Sequence, residues 1–290
     1  MLLRIVGIVF PIFIIVLLAF IYGRRHRPEM LAANRLNIEI FLPALMFSAL
    51  SSKSFNIGDH LALGVGAVVV TLVSGLLCWP FAKALRYNAR TLVPTAMFKN
   101  VGNMGMPLML LAYGEPALGA SVVFMLIVTL LQFGLSPWLI NGRSRIGDIV
   151  REPFVVASVL GVAVSMSGIA LWPPITAAVK ILGDISLGLM IFSLGVRLSM
   201  AKLNAWGIGI AGAAITPVSG MLAAWGFGEL AGISSTDMDY LLLFSALPSA
   251  VSNFILAERY GQEPDKVASI VMIGNASAII FVPIALALRL

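Results

Sequence analysis

The chain has 290 residues, of which 60% are hydrophobic and only 11% are charged. Soluble domains carry about 25% charged residues, so this composition excludes an ordinary soluble fold. We attribute the formal net charge of +6 to basic loops beside a membrane and expect no nucleic-acid partner.

Apolar runs of about 20 residues recur along the chain, which is the length that crosses a hydrocarbon core of about 30 Å. The first run is too long for the core of a cleavable signal, so it is predicted to be a retained helix. The predicted fold class is an all-α integral membrane protein. Its ten predicted transmembrane helices are residues 4–22, 33–53, 61–86, 91–113, 116–140, 152–171, 174–200, 204–228, 237–260 and 264–288.

The two halves of the chain, residues 1–145 and 146–290, resemble each other at a shift of 145 residues. The string Thr71–Gly75 then aligns with Thr216–Gly220, and charged and aromatic positions align along most of both halves. Five helices is an odd number, so the second copy must enter the membrane from the opposite side. The pattern therefore predicts two inverted five-helix repeats, an architecture typical of secondary transporters.

Basic residues are concentrated in one of the two sets of loops, and this set is predicted to be cytoplasmic. Both termini then lie on the non-cytoplasmic side. The basic residues of the cytoplasmic set are Arg24, Arg25, Arg27, Arg35, Lys83, Arg86, Arg90, Arg143, Arg145, Arg151, Arg197, Lys202, Arg259 and Lys266.

Two helices are interrupted at matching places in the two halves. Residues Lys99–Pro107 of the fourth helix combine a charge, amides, glycines and a proline, and residues Ser245–Asn253 of the ninth combine a proline with serines and an amide. A matched pair of broken helices predicts a transporter's substrate site. The residues predicted to form it are Lys99, Asn100, Asn103, Gly105, Pro107, Pro248, Ser249, Ser252 and Asn253.

A helix that restarts in mid-membrane presents free N–H groups and about half a positive charge, which favours an anion. Pro107 suits the first position of such a half-helix because it lacks an N–H. Lys99 adds a full charge, or alternatively caps the end of the first half-helix. The side chains predicted to surround the anion, or else to satisfy the frayed backbone, are Asn100, Asn103, Ser252 and Asn253.

Polar groups elsewhere in the predicted helices allow two interpretations each. Gln132 and Asn275 could line the cavity or form interhelical hydrogen bonds. Two basic–acidic pairs are spaced i, i+4 and could be structural ion pairs or parts of a gate or proton-linked switch. These pairs are Arg35 with Glu39 and Lys180 with Asp184.

The sequence contains no Walker A string, HExxH motif or paired membrane aspartates, so neither ATP-driven transport nor an enzyme is predicted. No metal or cofactor is expected. Neither interrupted segment contains a carboxylate, which disfavours a bound sodium ion. A sodium-coupled symporter stays the alternative, and an intramembrane enzyme or a sensory membrane domain is a remote one.

The segments Gly102–Pro107 and Pro248–Gly261, in a chain of two five-helix units, resemble the auxin efflux carrier family. This family belongs to the bile-acid/arsenite/riboflavin transporter superfamily, and the short central loop is similar to that of compact bacterial members. The resemblance implies that the fourth and ninth helices cross at the substrate site.

The resemblance also implies that the helices form two domains with different roles. Residues 4–53 and 152–200 would form a scaffold, often a dimer interface, and residues 61–140 and 204–288 would form a transport domain that moves as an elevator. Family members carry organic anions such as dicarboxylates. The expected function is secondary active transport of a small carboxylate across the cytoplasmic (inner) membrane, with the lipid bilayer and a second copy of the chain as partners.

Overall fold

The computed structural model describes residues 2–52, 57–141, 151–200 and 203–289, and these ranges are almost entirely helical. A π-helical turn, Asn37–Phe41, joins α2 to α3, and a second, Val101–Gly105, leads into α6. The helices are α1 (Leu2–His26), α2 (Leu31–Leu36), α3 (Leu42–Leu50), α4 (Leu61–Ala84), α5 (Ala89–Met97), α6 (Met106–Tyr113), α7 (Pro116–Asn141), α8 (Pro153–Ser167), α9 (Pro173–Met200), α10 (Trp206–Ala231), α11 (Ser235–Ser245), α12 (Val251–Tyr260) and α13 (Pro264–Ala287).

Each predicted helix overlaps helical residues in the described ranges, and both predicted interruptions are confirmed. The fourth predicted helix is divided into α5 and α6, and the ninth into α11 and α12. The boundary between the two halves at 145/146 lies outside the described residues, as do Lys53, Arg143, Arg145 and Lys202 of the predicted helix ends and loops.

Six helices in the described ranges are long and apolar enough to cross a membrane. Many large apolar side chains are exposed along them, which suits a surface covered by lipid. The chain is therefore built as a multi-pass membrane protein, while the count of ten spans and the inverted repeat stay predictions. The six spans are Leu3–His26, Gly58–Ala84, Pro116–Ile140, Pro173–Met200, Trp206–Ala231 and Pro264–Ala287.

The helices pack in two groups. In the first, α1 lies against α9, and α3 lies against both α8 and α9. In the second, α10 packs on α4 and α13, and α4 packs on α5 and α7. The groups meet where α9 contacts the π-helical turn Val101–Gly105 and where α1 contacts α6 and α13.

Glycines allow the helices of the first group to approach closely. A Cβ atom on Gly195 of α9 would stand 2.4 Å from the carbonyl oxygen of Val16 in α1. A Cβ atom on Gly183 would stand 2.7 Å from the Cα atom of Leu45 in α3. Such backbone contact is typical of membrane helices, whose association depends on close packing rather than on a hydrophobic driving force.

The outer ends of the broken helices carry ordinary caps. The Asn88 side chain accepts from the Arg90 N–H at 3.0 Å before α5, and the Ser234 hydroxyl accepts from the Asp237 N–H at 3.0 Å before α11. At the far end of α12, Gly261 has a φ of 65°, the left-handed conformation that commonly ends a helix. The inner ends of these helices lie inside the bundle, where their backbone groups need other partners.

Candidate functional site

The two unwound segments, Phe98–Asn100 and Pro248–Ala250, cross each other as a short antiparallel pair, which we call the crossing. The Asn100 N–H donates to the Pro248 carbonyl at 2.8 Å, and the Ala250 N–H donates to the Phe98 carbonyl at 2.9 Å. Lys99 lies opposite Ser249 between these two bonds. Each broken helix therefore satisfies backbone groups of the other, as an apolar interior requires.

Three amide side chains, those of Asn100, Asn253 and Asn275, hold the crossing from two sides. On one side, the Asn253 amide donates to the Phe98 carbonyl at 3.0 Å and to the Ser249 hydroxyl at 2.9 Å. On the other, the Asn100 amide donates to the Asn275 side-chain oxygen at 2.7 Å, and the Asn275 amide donates to the Ser249 carbonyl at 3.1 Å. Asn253 and Asn275 thus satisfy backbone carbonyls of the crossing, and Asn100 donates to the Asn275 side chain.

Gln132 completes this network from α7. Its amide donates to the Asn253 side-chain oxygen at 2.8 Å, and its carbonyl oxygen accepts from the Ser252 hydroxyl at 2.8 Å. Gln132 and Asn275 are both buried, so in this conformation they make the interhelical hydrogen bonds that the sequence allowed. Asn100 pairs with α13 and Asn253 with α7, so each broken helix takes its amide partner from the opposite half of the chain.

The accessible polar groups beside the crossing are Asn103 and Ser252, whose residues are half-buried. Gly102 lies next to them at the boundary of the two helix groups, where a Cβ atom would stand 3.6 Å from the Met125 methyl carbon and 3.9 Å from that of Met190. The second halves of both broken helices also begin here. Their first N–H groups carry partial positive charge; of these, the Val101 N–H donates to the Lys99 carbonyl at 2.9 Å and the Asn253 N–H donates to the Ala250 carbonyl at 3.1 Å.

Gly105 and Pro107 frame the crossing without offering a polar side chain. A Cβ atom on Gly105 would stand 2.7 Å from a methyl group of Leu247, so a small residue is needed for the close approach. Pro107 is the second residue of α6, one position after the predicted first position and still in the first turn, where a proline is tolerated. A π-helical turn, Val101–Gly105, precedes α6.

Lys99 is almost completely buried, with 1% of its surface exposed. Its ammonium donates to the Thr216 carbonyl of α10 at 2.5 Å, so it is directed behind the crossing rather than toward Asn103 and Ser252. The alternative prediction is that Lys99 caps the end of its own first half-helix, α5. The structure differs, because the ammonium donates to Thr216, which belongs to α10. The signal for Thr216 in the sequence is its place in the string Thr216–Gly220, the second copy of Thr71–Gly75.

The two copies of that string occupy similar places. A Cβ atom on Gly75 of α4 would stand 2.5 Å from the side chain of Met97, the last residue of α5. A Cβ atom on Gly220 of α10 would stand 2.2 Å from the carbonyl oxygen of Ser245, the last residue of α11. Each glycine thus makes room for the inner end of one broken helix.

The two predicted i, i+4 ion pairs have different outcomes. Arg35 and Glu39 form an exposed pair at 2.8 Å. Lys180 instead pairs at 2.7 Å with Glu115, which lies at the start of α7, so its predicted pairing with Asp184 is wrong. The long lysine side chain reaches across to the neighbouring helix group, and both pairs are exposed to solvent, so they contribute little to stability.

A cavity of about 1470 Å³ lies between α3 and α9 on one side and the starts of α7 and α11 on the other. None of the predicted site residues at the crossing lines it. In the described residues, no group of three or more His, Cys, Asp and Glu side chains is arranged to hold a metal ion. The charged or titratable residues that line the cavity are Asp59, His60, Glu115, Lys180, Asp184, Asp237 and Tyr240.

Comparison with known proteins gives a matching family. A family model described as "Membrane transport protein" matches residues 4–141 and 136–286. An uncharacterized transporter, MJ1031 of Methanocaldococcus jannaschii, is 23% identical over 95% of this chain and 96% of its own length. The uncharacterized transporter YfdV of Escherichia coli is 24% identical over 88% of each chain. Auxin efflux carrier component 6 of Arabidopsis thaliana is 28% identical over 43% of this chain and 23% of its own length.

Proposed function

Because the chain belongs to the membrane transport protein family, which includes auxin efflux carriers, we propose that it is a secondary active transporter of a small organic anion. The crossing is the observation that carries this proposal. Two helices restart there in the interior of a bundle of apolar helices, and their partial positive charges suit a carboxylate. The family relatives named as transporters make an enzymatic role a poor fit.

The proposal places the anion against the accessible side of the crossing, where Asn103 can donate hydrogen bonds and where the Ser252 hydroxyl can donate once it leaves the Gln132 side chain, to which it donates at 2.8 Å. The buried amides Asn100, Asn253, Gln132 and Asn275 then form the frame that holds the two half-helices in place. Lys99 contributes positive potential from behind the crossing without touching the ligand, because its ammonium is bonded to Thr216. A charge acts strongly over a short distance in a medium of low dielectric.

Alternating access would be achieved by an elevator movement. In this proposal α1, α3, α8 and α9 form a static scaffold, which also forms a homodimer, and the remaining long helices carry the crossing as a transport domain. The packing of the helices in two groups supports the division. The boundary between the groups runs beside Gly102 and the methionines Met125 and Met190, whose flexible side chains suit a sliding surface.

The cavity supports an entry route from the side that carries the predicted non-cytoplasmic loops. It lies between the two helix groups, and the Lys180–Glu115 pair joins them there. Carboxylates outnumber basic groups in its lining, so an anion gains no electrostatic attraction from the entrance. Affinity for an anion must therefore come from the crossing.

A thermal-shift screen of the purified protein tests the substrate class. The panel contains small mono- and dicarboxylic acids together with their neutral amides and matched amines at one ionic strength. The proposal expects one or more acids to raise the unfolding midpoint, while the amides and amines do not. A protein that responds only to the amines or to the neutral compounds would not be an anion transporter.

Two variants locate the ligand once an acid binds. Asn103→Ala and Ser252→Ala should weaken the acid's effect about tenfold or more in half-maximal concentration, since each loses a hydrogen bond to a charged group. Asn204→Ala and Ser167→Ala are the matched controls, because both residues are exposed and lie far along the chain from the crossing. Equal affinity for the acid in all four variants would show that the acid binds away from the crossing.

Reconstituted vesicles test the coupling. Uptake of the acid identified in the screen is measured with a pH gradient, with a membrane potential and with a sodium gradient, each imposed alone. We expect the pH gradient or the potential to drive accumulation, because neither segment of the crossing contains a carboxylate for sodium. Accumulation driven by sodium alone would favour the sodium-coupled alternative.

A further inference from the structure

Lys99 is the one buried charged side chain among the residues that the structure describes. Its ammonium donates to the Thr216 carbonyl at 2.5 Å. A Cβ atom on Gly220 would stand 2.6 Å from the same ammonium and 2.2 Å from the Ser245 carbonyl oxygen. The ammonium and the two carbonyl groups therefore meet at one place on α10, which only a glycine leaves open.

The oxygens at this place come mainly from backbone. Ser245 ends α11, so its carbonyl belongs to the negative end of that helix. The Thr216 carbonyl accepts from the ammonium and also from the Ser219 hydroxyl at 3.2 Å. The Thr216 hydroxyl is buried and has no hydrogen-bond partner in the described part of the chain. An ammonium group has three N–H donors, and only one of them is used in the bond to the Thr216 carbonyl. The cluster therefore offers more oxygens than this single hydrogen bond uses.

The charge of Lys99 has no carboxylate partner within ion-pair distance in the described ranges, where the ion pairs involve other residues. A charged group in a membrane interior is costly unless it is paired or bonded to backbone carbonyls. Here the Thr216 carbonyl of α10 accepts from the ammonium, and the Ser245 carbonyl at the end of α11 lies nearby. Rings of carbonyl oxygens are also the ligands that membrane proteins use for free alkali cations.

We propose that the Lys99 ammonium is a built-in cation, which occupies an oxygen-lined site for a monovalent cation between α10 and the inner end of α11. The side chain holds the end of one broken helix against its neighbour from a position in the other broken helix. A free cation is therefore not needed at this place. Removing the ammonium while leaving its volume empty opens the site to a small cation from solution.

The test uses the purified full chain without substrate, so it does not depend on the substrate class. Unfolding midpoints are measured by tryptophan fluorescence in the chloride salts of sodium, potassium, propylammonium and choline at equal ionic strength. Propylammonium supplies the atoms that Lys99→Ala removes, and choline is too large for the site. Lys99→Met fills the space with an apolar side chain, and Lys83→Ala removes an exposed lysine as the control.

The proposal expects the wild-type midpoint to be the same in all four salts. The midpoint of Lys99→Ala should fall by about 5 °C in choline, because buried carbonyls lose their donor, and should rise again in at least one of the small cations. Lys99→Met should stay low in every salt, and Lys83→Ala should follow the wild type.

Three results would overturn the proposal. The first is a midpoint of Lys99→Ala that does not differ between choline and the small cations. The second is a wild-type protein that sodium or potassium stabilises specifically, since its site would then not be filled by the lysine. The third is a Lys99→Met variant as stable as the wild type. If neither Lys99→Ala nor Lys99→Met yields folded protein, the proposal is judged by the unfolding midpoints of the wild type in the four salts.

Discussion

Replacing Asn253 by alanine tests whether the crossing is held by its buried amides. The Asn253 side chain makes three hydrogen bonds, to the Phe98 carbonyl, the Ser249 hydroxyl and the Gln132 amide. Alanine removes all three; the Phe98 carbonyl keeps its bond from the Ala250 N–H, whereas the buried Gln132 amide is left without this partner. Each group left unsatisfied costs about 1–3 kcal/mol, although interhelical hydrogen bonds in membranes average only about 0.6 kcal/mol.

These values give a loss of roughly 2–4 kcal/mol of stability for Asn253→Ala. One kcal/mol lowers the unfolding midpoint by about 2–4 °C in a chain of this size, so we expect a fall of about 5–15 °C. The measurement is thermal unfolding of purified protein followed by tryptophan fluorescence.

Asn34→Ala is the matched control for this prediction. Asn34 is half-buried at the edge of the bundle and accepts one hydrogen bond, from the Ser193 hydroxyl at 3.0 Å. We expect a fall of less than about 3 °C, in keeping with a single peripheral bond. If the two variants unfold at the same temperature, the amide network does not hold the crossing.

Three further perturbations have defined outcomes. Gly195→Ala should lower the unfolding midpoint because its Cβ atom would meet the Val16 carbonyl, whereas Gly188→Ala on the same helix, with no atom within 4 Å, should not. Asp184→Asn should increase the apparent affinity for an external anion in vesicle uptake at low salt, and the gain should disappear at high salt. Burial tends to raise the pKa of Glu263, but the hydrogen bonds from Lys266 and Thr91 and the charge of Lys266 together outweigh this and hold the pKa below the usual value. A lowered pKa stabilises the fold above the usual carboxyl pKa, so the stability advantage of the wild type over Glu263→Gln should be present at about pH 6 and be lost on acidification below about pH 4.

The broken helices could be predicted from the sequence because their residues conflict with an apolar helix. Amides, glycines and prolines in the middle of a membrane span need partners outside their own helix, and those partners leave a visible polar pattern. Gln132 and Asn275 carry the same signal, since isolated amides in apolar helices need hydrogen-bond partners. What the pattern could not decide was whether these amides face a ligand or each other.

The destinations of long side chains could not be predicted. Spacing along a helix suggested that Lys180 would pair with Asp184, but the lysine reaches Glu115 in another helix group. Lys99 likewise leaves its own segment and bonds to α10. A flexible side chain of four methylene groups can reach several neighbours, and which one it meets depends on packing between helices that are distant in sequence. Local periodicity contains no information about that choice.

The crossing also constrains how the chain can be made. The Asn253 side chain bonds to a carbonyl 155 residues earlier in the chain, so the first broken helix is synthesised long before its partner. At a synthesis rate of about 5–20 residues per second, the interval is roughly 8–30 s. Throughout it, the unwound backbone of Phe98–Asn100 lacks its native partners. Because unsatisfied backbone is costly in lipid, we expect the nascent first half to stay in contact with water or with other protein until the second half is made.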